Sequence, residues 1–217
     1  MRDHRITQLA GAALAALALT APGFAQDSES RNLTGFDRID ANGGFELVIV
    51  QGDTFSVELV GDADDFDKIE TEVDGRRLEI DQHSGLFSRR HDLDVVVHVT
   101  LPEISKLAFG RGISAEARNI DSDDLEIDSA TGASVRLSGV CGSLEIEAST
   151  GTSLRAGELV CARIEVDAST GASVAAHATD AADSSASMGA SIRILGNPPV
   201  RHSRSAMGGS VSHSSGG

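Results

Sequence analysis

The chain contains no tryptophan and no tyrosine, and only seven phenylalanines in 217 residues. Stacking platforms for sugars and the aromatic anchors of tight protein interfaces are therefore missing, which argues against a high-affinity lectin cleft. Basic residues are few: 18 Lys and Arg stand against 33 Asp and Glu, a net charge of −15. That balance argues against nucleic acid as a partner and against anionic membrane surfaces. Beyond the N-terminus no apolar run approaches the length needed to span a bilayer. There is no G-x-S-x-G elbow, no H-E-x-x-H and no phosphate-binding loop, so the common hydrolase, zinc-protease and nucleotide sites are absent. The six-residue period and catalytic histidine of hexapeptide acyltransferases are also lacking.

The N-terminus reads as an export signal. Arg2 and Arg5 form a basic head, Leu9–Ala21 an apolar stretch too short for a permanent span, and small residues at Gly23 and Ala25 suit cleavage after Ala25. No cysteine lies near the cleavage point for lipid attachment. Residues 1–25 are thus expected to be a signal peptide and 26–32 a flexible N-terminus. The product would be periplasmic or extracellular, with no membrane span in its mature form.

One short phrase recurs: "LEIDSATGASV" at 125, "LEIEASTGTSL" at 144, "IEVDASTGASV" at 164. The same context surrounds Gly112, Gly132, Gly151, Gly171, Gly189 and Gly208, at spacings of 20, 19, 20, 18 and 19. A period near twenty marks a stacked array. Within each unit, apolar and polar residues alternate on both sides of the glycine, which predicts two short strands joined by a tight corner. No helix fits between units. Each unit is therefore one coil of a β-solenoid, and successive coils pair as parallel strands about 4.8 Å apart. One coil cannot bury its own apolar edge, so each must present the same inward residues at the same height. Leu125/Leu144/Ile164 and Ile127/Ile146/Val166 form inward rows on one wall, and Val135/Leu154/Val174/Ile192 on a second. The core thins at Ala175 and Ala176, where the weakest coil is expected. The N-terminal half is strand-rich without a clean repeat, with an Asp74-Gly75 hairpin signal and a loop or single helical turn over Asp62–Lys68. It is expected to cover the open end of the stack.

Cys141 and Cys161, the only cysteines, each precede the first inward residue of their coil by three positions. They share a rung, and stacked Cα atoms fall inside the disulfide window of roughly 4.4–6.8 Å. In an oxidising compartment an inter-coil disulfide is expected. Glu126/Glu145/Glu165 and Asp128/Glu147/Asp167 form two outward acidic rows. No cofactor is expected. Calcium is the one cation such rows could recruit, but a solvated acidic face explains them better, and the calcium-binding nonapeptide of other solenoids is absent. "SRRHDLD" (88–94) reads as an exposed connection. Ser134, Ser153, Ser173 and Ser191 form a hydroxyl row whose hydroxyls are expected to bond to nearby backbone.

Five features in order, "FDRIDANGGFELVIVQGD" from Phe36, "VDGRRLEI", "VHVTLPEISKLAFGRG", the repeated S/A-x-G corners and "SIRILGNPPV", resemble the GIN-domain family, head domains of autotransporter adhesins in bacterial envelopes. The resemblance spans about Leu33–Val211. It implies a right-handed, single-stranded β-helix, similar to pectin-lyase solenoids without their catalytic residues, and a role in adhesion or envelope-surface interaction. The corners here are mostly "STG" or "SMG" where the family often has Gly-Ser/Ala-Gly. The plan that follows is a solenoid domain over 33–211, with capping strands at 33–106 and regular coils at 107–211, and a disordered tail at 212–217. The expected function is a non-catalytic surface or adhesion module meeting an envelope or extracellular partner, protein or glycan. A polysaccharide-lyase-like enzyme, using Glu126, Glu145 and Asp128 with Arg136 or Arg155, and a periplasmic structural or signalling partner are the alternatives.

Overall fold

The computed structural model describes residues 27–83 and 93–214; the expected signal peptide and most of the 88–94 connection lie outside them. The chain is built from β1 (Asp27–Arg31), β2 (Arg38–Asn42), β3 (Glu46–Gln51), β4 (Ser56–Gly61), a short helix α1 (Ala63–Phe66), β5 (Ile69–Asp74), β6 (Arg77–Gln82), β7 (Val95–Leu101), β8 (Lys106–Gly110), the long strands β9 (Ser114–Ser129), β10 (Ser134–Ala148), β11 (Ser153–Ala168) and β12 (Ser173–Ala186), and then β13 (Ser191–Leu195), β14 (Val200–Ser205) and β15 (Ser210–Ser214). β9 to β12 each bend once and serve two walls. Wall A runs β1-β4-β7-β3-β9-β10-β11-β12-β13-β15. Wall B runs β5-β6-β2-β8-β9-β10-β11-β12-β14. The result is a β-solenoid of about five turns with coils about 20 residues apart.

The inward rows lie in register as the repeat requires. Leu125, Leu144 and Ile164 stack, as do Ile127, Ile146 and Val166, and all six are buried. Val135, Leu154, Val174 and Ile192 stack on wall A and are buried in the same core. Each such side chain contributes about 1.5–3 kcal/mol by leaving water. The core does thin in the coil containing Ala176, but the thinning is deepest on wall B, where Ala182, Ser184 and Ala186 occupy the inward rungs. Ala175 itself faces outward, on the rung of Arg155.

Each corner is a two-residue turn with positive φ at both central residues, as in a type I′ turn. Gly132, Gly151, Gly171, Gly189 and Gly208 hold φ between +71 and +80, and the residues before them, Thr131, Thr150, Thr170, Met188 and Met207, hold φ between +48 and +55. The glycine is the part the repeat foretold; the left-handed threonine is not, because a β-branched residue resists that conformation. The neighbouring coil supplies the compensation. The Gly132 N–H donates to the Thr150 carbonyl at 3.0 Å, Gly151 to Thr170 at 3.0 Å, and Gly171 to Met188 at 3.0 Å. Turning the threonine peptide this way aims its carbonyl at the coil beside it. Asparagine tolerates the same φ at lower cost. Thr150→Asn is therefore expected to raise stability by about 0.5–1 kcal/mol, read as a higher urea midpoint, while Thr150→Val lowers it.

The N-terminal half departs from a simple cap. β2 and β3 form a coil inside the stack: β2 lies between β6 and β8, and β3 between β7 and β9. The chain makes this coil first, then adds β4 to β7 on its far side, then crosses back to β8. The closing strands proper are β1 and β4 on wall A and β5 on wall B, paired antiparallel where the coils pair parallel. Residues expected to be a flexible lead-in form β1, which satisfies the edge of β4; a polar strand with no apolar alternation gives no periodic signal. The tail expected from 212 onward likewise continues β15 to Ser214, because its backbone pairs with β13. The hairpin turn comprises Gly75 and Arg76, one step later than Asp74-Gly75, with φ of +61 at the glycine. The helical turn is real: the Asp62 carboxylate caps the Asp64 N–H at 3.0 Å, and Phe66 drops into the core.

Asp37, next to β2, anchors this inserted coil. Arg76 grips it with Nε at 3.0 Å and Nη2 at 2.8 Å, and Ser105 Oγ donates at 2.8 Å. Burial raises the pKa of the carboxyl, but these hydrogen bonds and the charges of Arg76 and Arg38 outweigh it and hold the net value below normal. A folded-state pKa below the unfolded one contributes stability that is fully present above the ordinary carboxylate range, about pH 4. That stability is lost as pH falls through the lowered value. Asp37→Asn is expected to cost about 1.5–3 kcal/mol at neutral pH and to flatten acid unfolding below pH 4, measured by circular dichroism.

Candidate interaction surface

The outer face of wall A carries a row of serines. Ser114, Ser134, Ser153, Ser173, Ser191 and Ser210 occupy one rung position in six successive strands. Ser210 Oγ donates to Ser191 Oγ at 3.4 Å. Among the described residues the hydroxyls of Ser134, Ser153 and Ser173 bond to no backbone group, contrary to expectation, because the corner's own N–H and C=O groups are already paired within the turn and between coils. Two residues further along each strand is a second row: Glu116, Arg136, Arg155, Ala175, Arg193 and Ser212. Glu116 pairs with Arg118 at 2.6 Å. Arg136, Arg155 and Arg193 are exposed and have no ion-pair partner among the described residues. A shallow groove of about 140 Å³ lies between Ser114, Ser134, Arg136 and Arg155, with Glu46 and Glu116 at its N-terminal side.

Wall B is the electrostatic opposite. One outward row reads Arg38, Lys106, Glu126, Glu145, Glu165, Asp183, His202 across seven strands. Asp128, Glu147 and Asp167 run beside it. Lys106 Nζ lies 2.6 Å from both Glu126 and Asp128, and hydrogen bonds to Asp128 and Glu126 raise its pKa. Glu145, Glu147, Glu165 and Asp167 form no ion pair among the described residues; Arg163, on the same face, donates to Ser143 Oγ at 3.2 Å instead. A groove of about 700 Å³ follows this face. Among the described residues no group of three or more His, Cys, Asp or Glu is arranged to hold a metal ion. Stacked like charges repel, so Glu145→Gln is expected to stabilise the fold by about 0.2–1 kcal/mol at low salt. Sodium chloride should remove the gain by screening. Calcium at matched ionic strength should raise the melting temperature no more than sodium does.

The two walls separate the acids from the arginines that the lyase reading pairs with them, although Lys106 does lie among the acids of wall B. Glu126, Asp128 and Glu145 face outward from wall B, Arg136 and Arg155 from wall A, and the apolar core lies between. A Ser203–His213 pair at 3.0 Å, continued by Ser184 at 3.1 Å, sits at the C-terminal end, and no carboxylate touches His213 among the described residues. Cys141 and Cys161 are joined as a disulfide on one rung, with Cα atoms 4.4 Å apart. Arg193 and the outer serines Ser114 and Ser210 extend rows that sequence reading began; coil offsets alone would have found them. Lys106, 20 residues before Glu126 and on its rung, could have been found by the same offset.

These features define a class: a β-solenoid with a tight-turn edge, an inter-coil disulfide and two outer faces of unlike charge. The chain belongs to the family described as "Putative auto-transporter adhesin, head GIN domain", whose profile matches residues 35–198. Among solved structures it is similar to a "putative adhesin" from Bacteroides fragilis, at 16% identity and a TM-score of 0.71, covering 89% of this chain and 99% of that one. It is also similar to a "putative lipid binding protein" from Parabacteroides distasonis, at 18% identity and a TM-score of 0.52, covering 88% and 98%. At these identities the likeness is one of fold. No curated protein sequence matches the chain. No helix among the described residues is long and apolar enough to cross a membrane.

Proposed function

We propose that the chain is an exported, non-catalytic contact module of the bacterial envelope that works by many weak contacts at regular spacing. Membership of an adhesin-named family supports this. The observation that carries it is the outer face of wall A: the hydroxyls of Ser134, Ser153 and Ser173, unbonded among the described residues, beside three arginines without an ion pair there, on a chain of net charge −15. Hydroxyls and guanidinium groups repeated every coil offer hydrogen bonds to a protein or glycan surface. Several such contacts made at once add up to useful avidity although each is weak. Photo-crosslinkers placed at Ser153 and Ser173 should capture an envelope or extracellular partner that crosslinkers at Glu147 and Asp167 do not. Equal capture from both faces, or none from wall A, would contradict this reading.

A further inference from the structure

Every acidic residue lies at or before Asp183; the remaining 34 residues hold Arg193, Arg201, Arg204, His202 and His213 and no acid. These residues build the last coil, whose β14 and β15 each pair on one side only among the described residues. Three of the four large apolar side chains exposed among the described residues are here too: Met188, Val200 and Met207. The inward rungs of this coil are Arg201, Ser203, Ser205, Val211 and His213, mostly polar where earlier coils are apolar. An end built this way stays soluble when bare yet still offers two rows of unpaired backbone groups. Arg and Met are also the residues that reversible interfaces favour.

The opposite end complements it. β1 and β5 are the outermost strands there, each with one free side among the described residues. β1 carries Asp27 and Glu29, and β5 carries Glu70, Glu72 and Asp74. Lengths match across the ends: β15 and β1 have five residues each, and β14 and β5 six each. Directions also follow from the pairings. β1 is antiparallel to β4 and β4 to β7, so β1 runs the same way as β15; β5 runs against β14. We infer that the C-terminal end is a docking surface for the N-terminal end of a second copy of this chain, adding β1 to β15 and β5 to β14. Outward Arg204, with His202 beside it, then faces outward Glu70 and Glu72, a cation against carboxylates on adjoining strands. The contact is heterologous and does not close on itself, so copies add head to tail.

Sedimentation velocity on the chain lacking residues 1–25 tests this. At low salt the average mass should climb with concentration past the dimer without a plateau, and return to monomer in high salt. His202→Asp/Arg204→Glu should be monomeric and still fully folded, with a melting temperature lowered slightly because Asp183 lies on the rung of His202 and 3.9 Å from Arg204. Glu70→Arg/Glu72→Arg should also lose self-association, and mixing the two variants should restore growth past the dimer, because the reversed charges complement each other. A chain that is monomeric at all concentrations overturns the proposal, as does association that the C-terminal variant leaves intact. Either result leaves the wall A reading untouched, because that reading is scored by crosslinking from Ser153 and Ser173.

Discussion

Gly139→Ala is expected to destabilise the protein by about 3 kcal/mol, roughly three times the effect of the same change at Gly132. Gly139 sits where β10 turns from wall A to wall B, at φ +139. A Cβ there would lie 2.1 Å from the Ile120 carbonyl oxygen and 2.6 Å from the Ile120 nitrogen. Both obstacles are backbone of the coil beside it, and Ile120 is buried, so that coil has nowhere to retreat. The pairing of β9 and β10 also shifts register between Leu137 and Gly139. Gly132, by contrast, has nothing within 4 Å of an added Cβ. It needs only its positive φ, worth about 1 kcal/mol. Urea unfolding of the two variants gives the comparison; equal losses would show that close coil contact does not set the bend.

Reducing the Cys141–Cys161 bond is expected to cost about 3 kcal/mol by releasing a loop of 20 residues in the unfolded chain. The bond ties β10 to β11 just beyond a break in their ladder between Arg136 and Ser138. It therefore fastens the coils where backbone pairing is least regular. Cys161 is buried, so substitution by alanine would mix this effect with a cavity. Chemical reduction avoids that. The urea midpoint should fall on adding a strong thiol reductant and recover on reoxidation. An unchanged midpoint would mean that the bond adds nothing to the folded state.

The regular coils were legible because their chemistry returns at a nearly fixed interval. Gly132, Gly151 and Gly171 gave the corner, Leu125 to Ile164 the inward row, and Cys141 with Cys161 the rung. What escaped depends on neighbours that no period announces. The left-handed Thr150 and Thr170 are explained only by the coil that bonds to them. Gly139 looks like an ordinary loop glycine until the Ile120 backbone is beside it. The insertion of β2 and β3 between β6–β7 and β8–β9 rests on pairings up to 68 residues apart, such as Arg38 with Lys106. β1 and β15 are polar strands held by backbone hydrogen bonds, so hydrophobic alternation could not find them. The unlike charge of the two faces is half visible: the spacing shows the acidic rows, but not that Arg136 and Arg155 face away from them.

The account rests on in-register stacking of coils, and paired cysteines test it directly. In a chain with Cys141 and Cys161 replaced by serine, Ser134→Cys/Ser153→Cys and Ser153→Cys/Ser173→Cys place new thiols on adjoining rungs of wall A. Mild oxidation should close both pairs nearly completely. Ser153→Cys/Ser185→Cys, which divides its thiols between the walls, should stay open. Crosslinking that ignored register, or a closed Ser153→Cys/Ser185→Cys pair beside open rung pairs, would contradict the stacked solenoid.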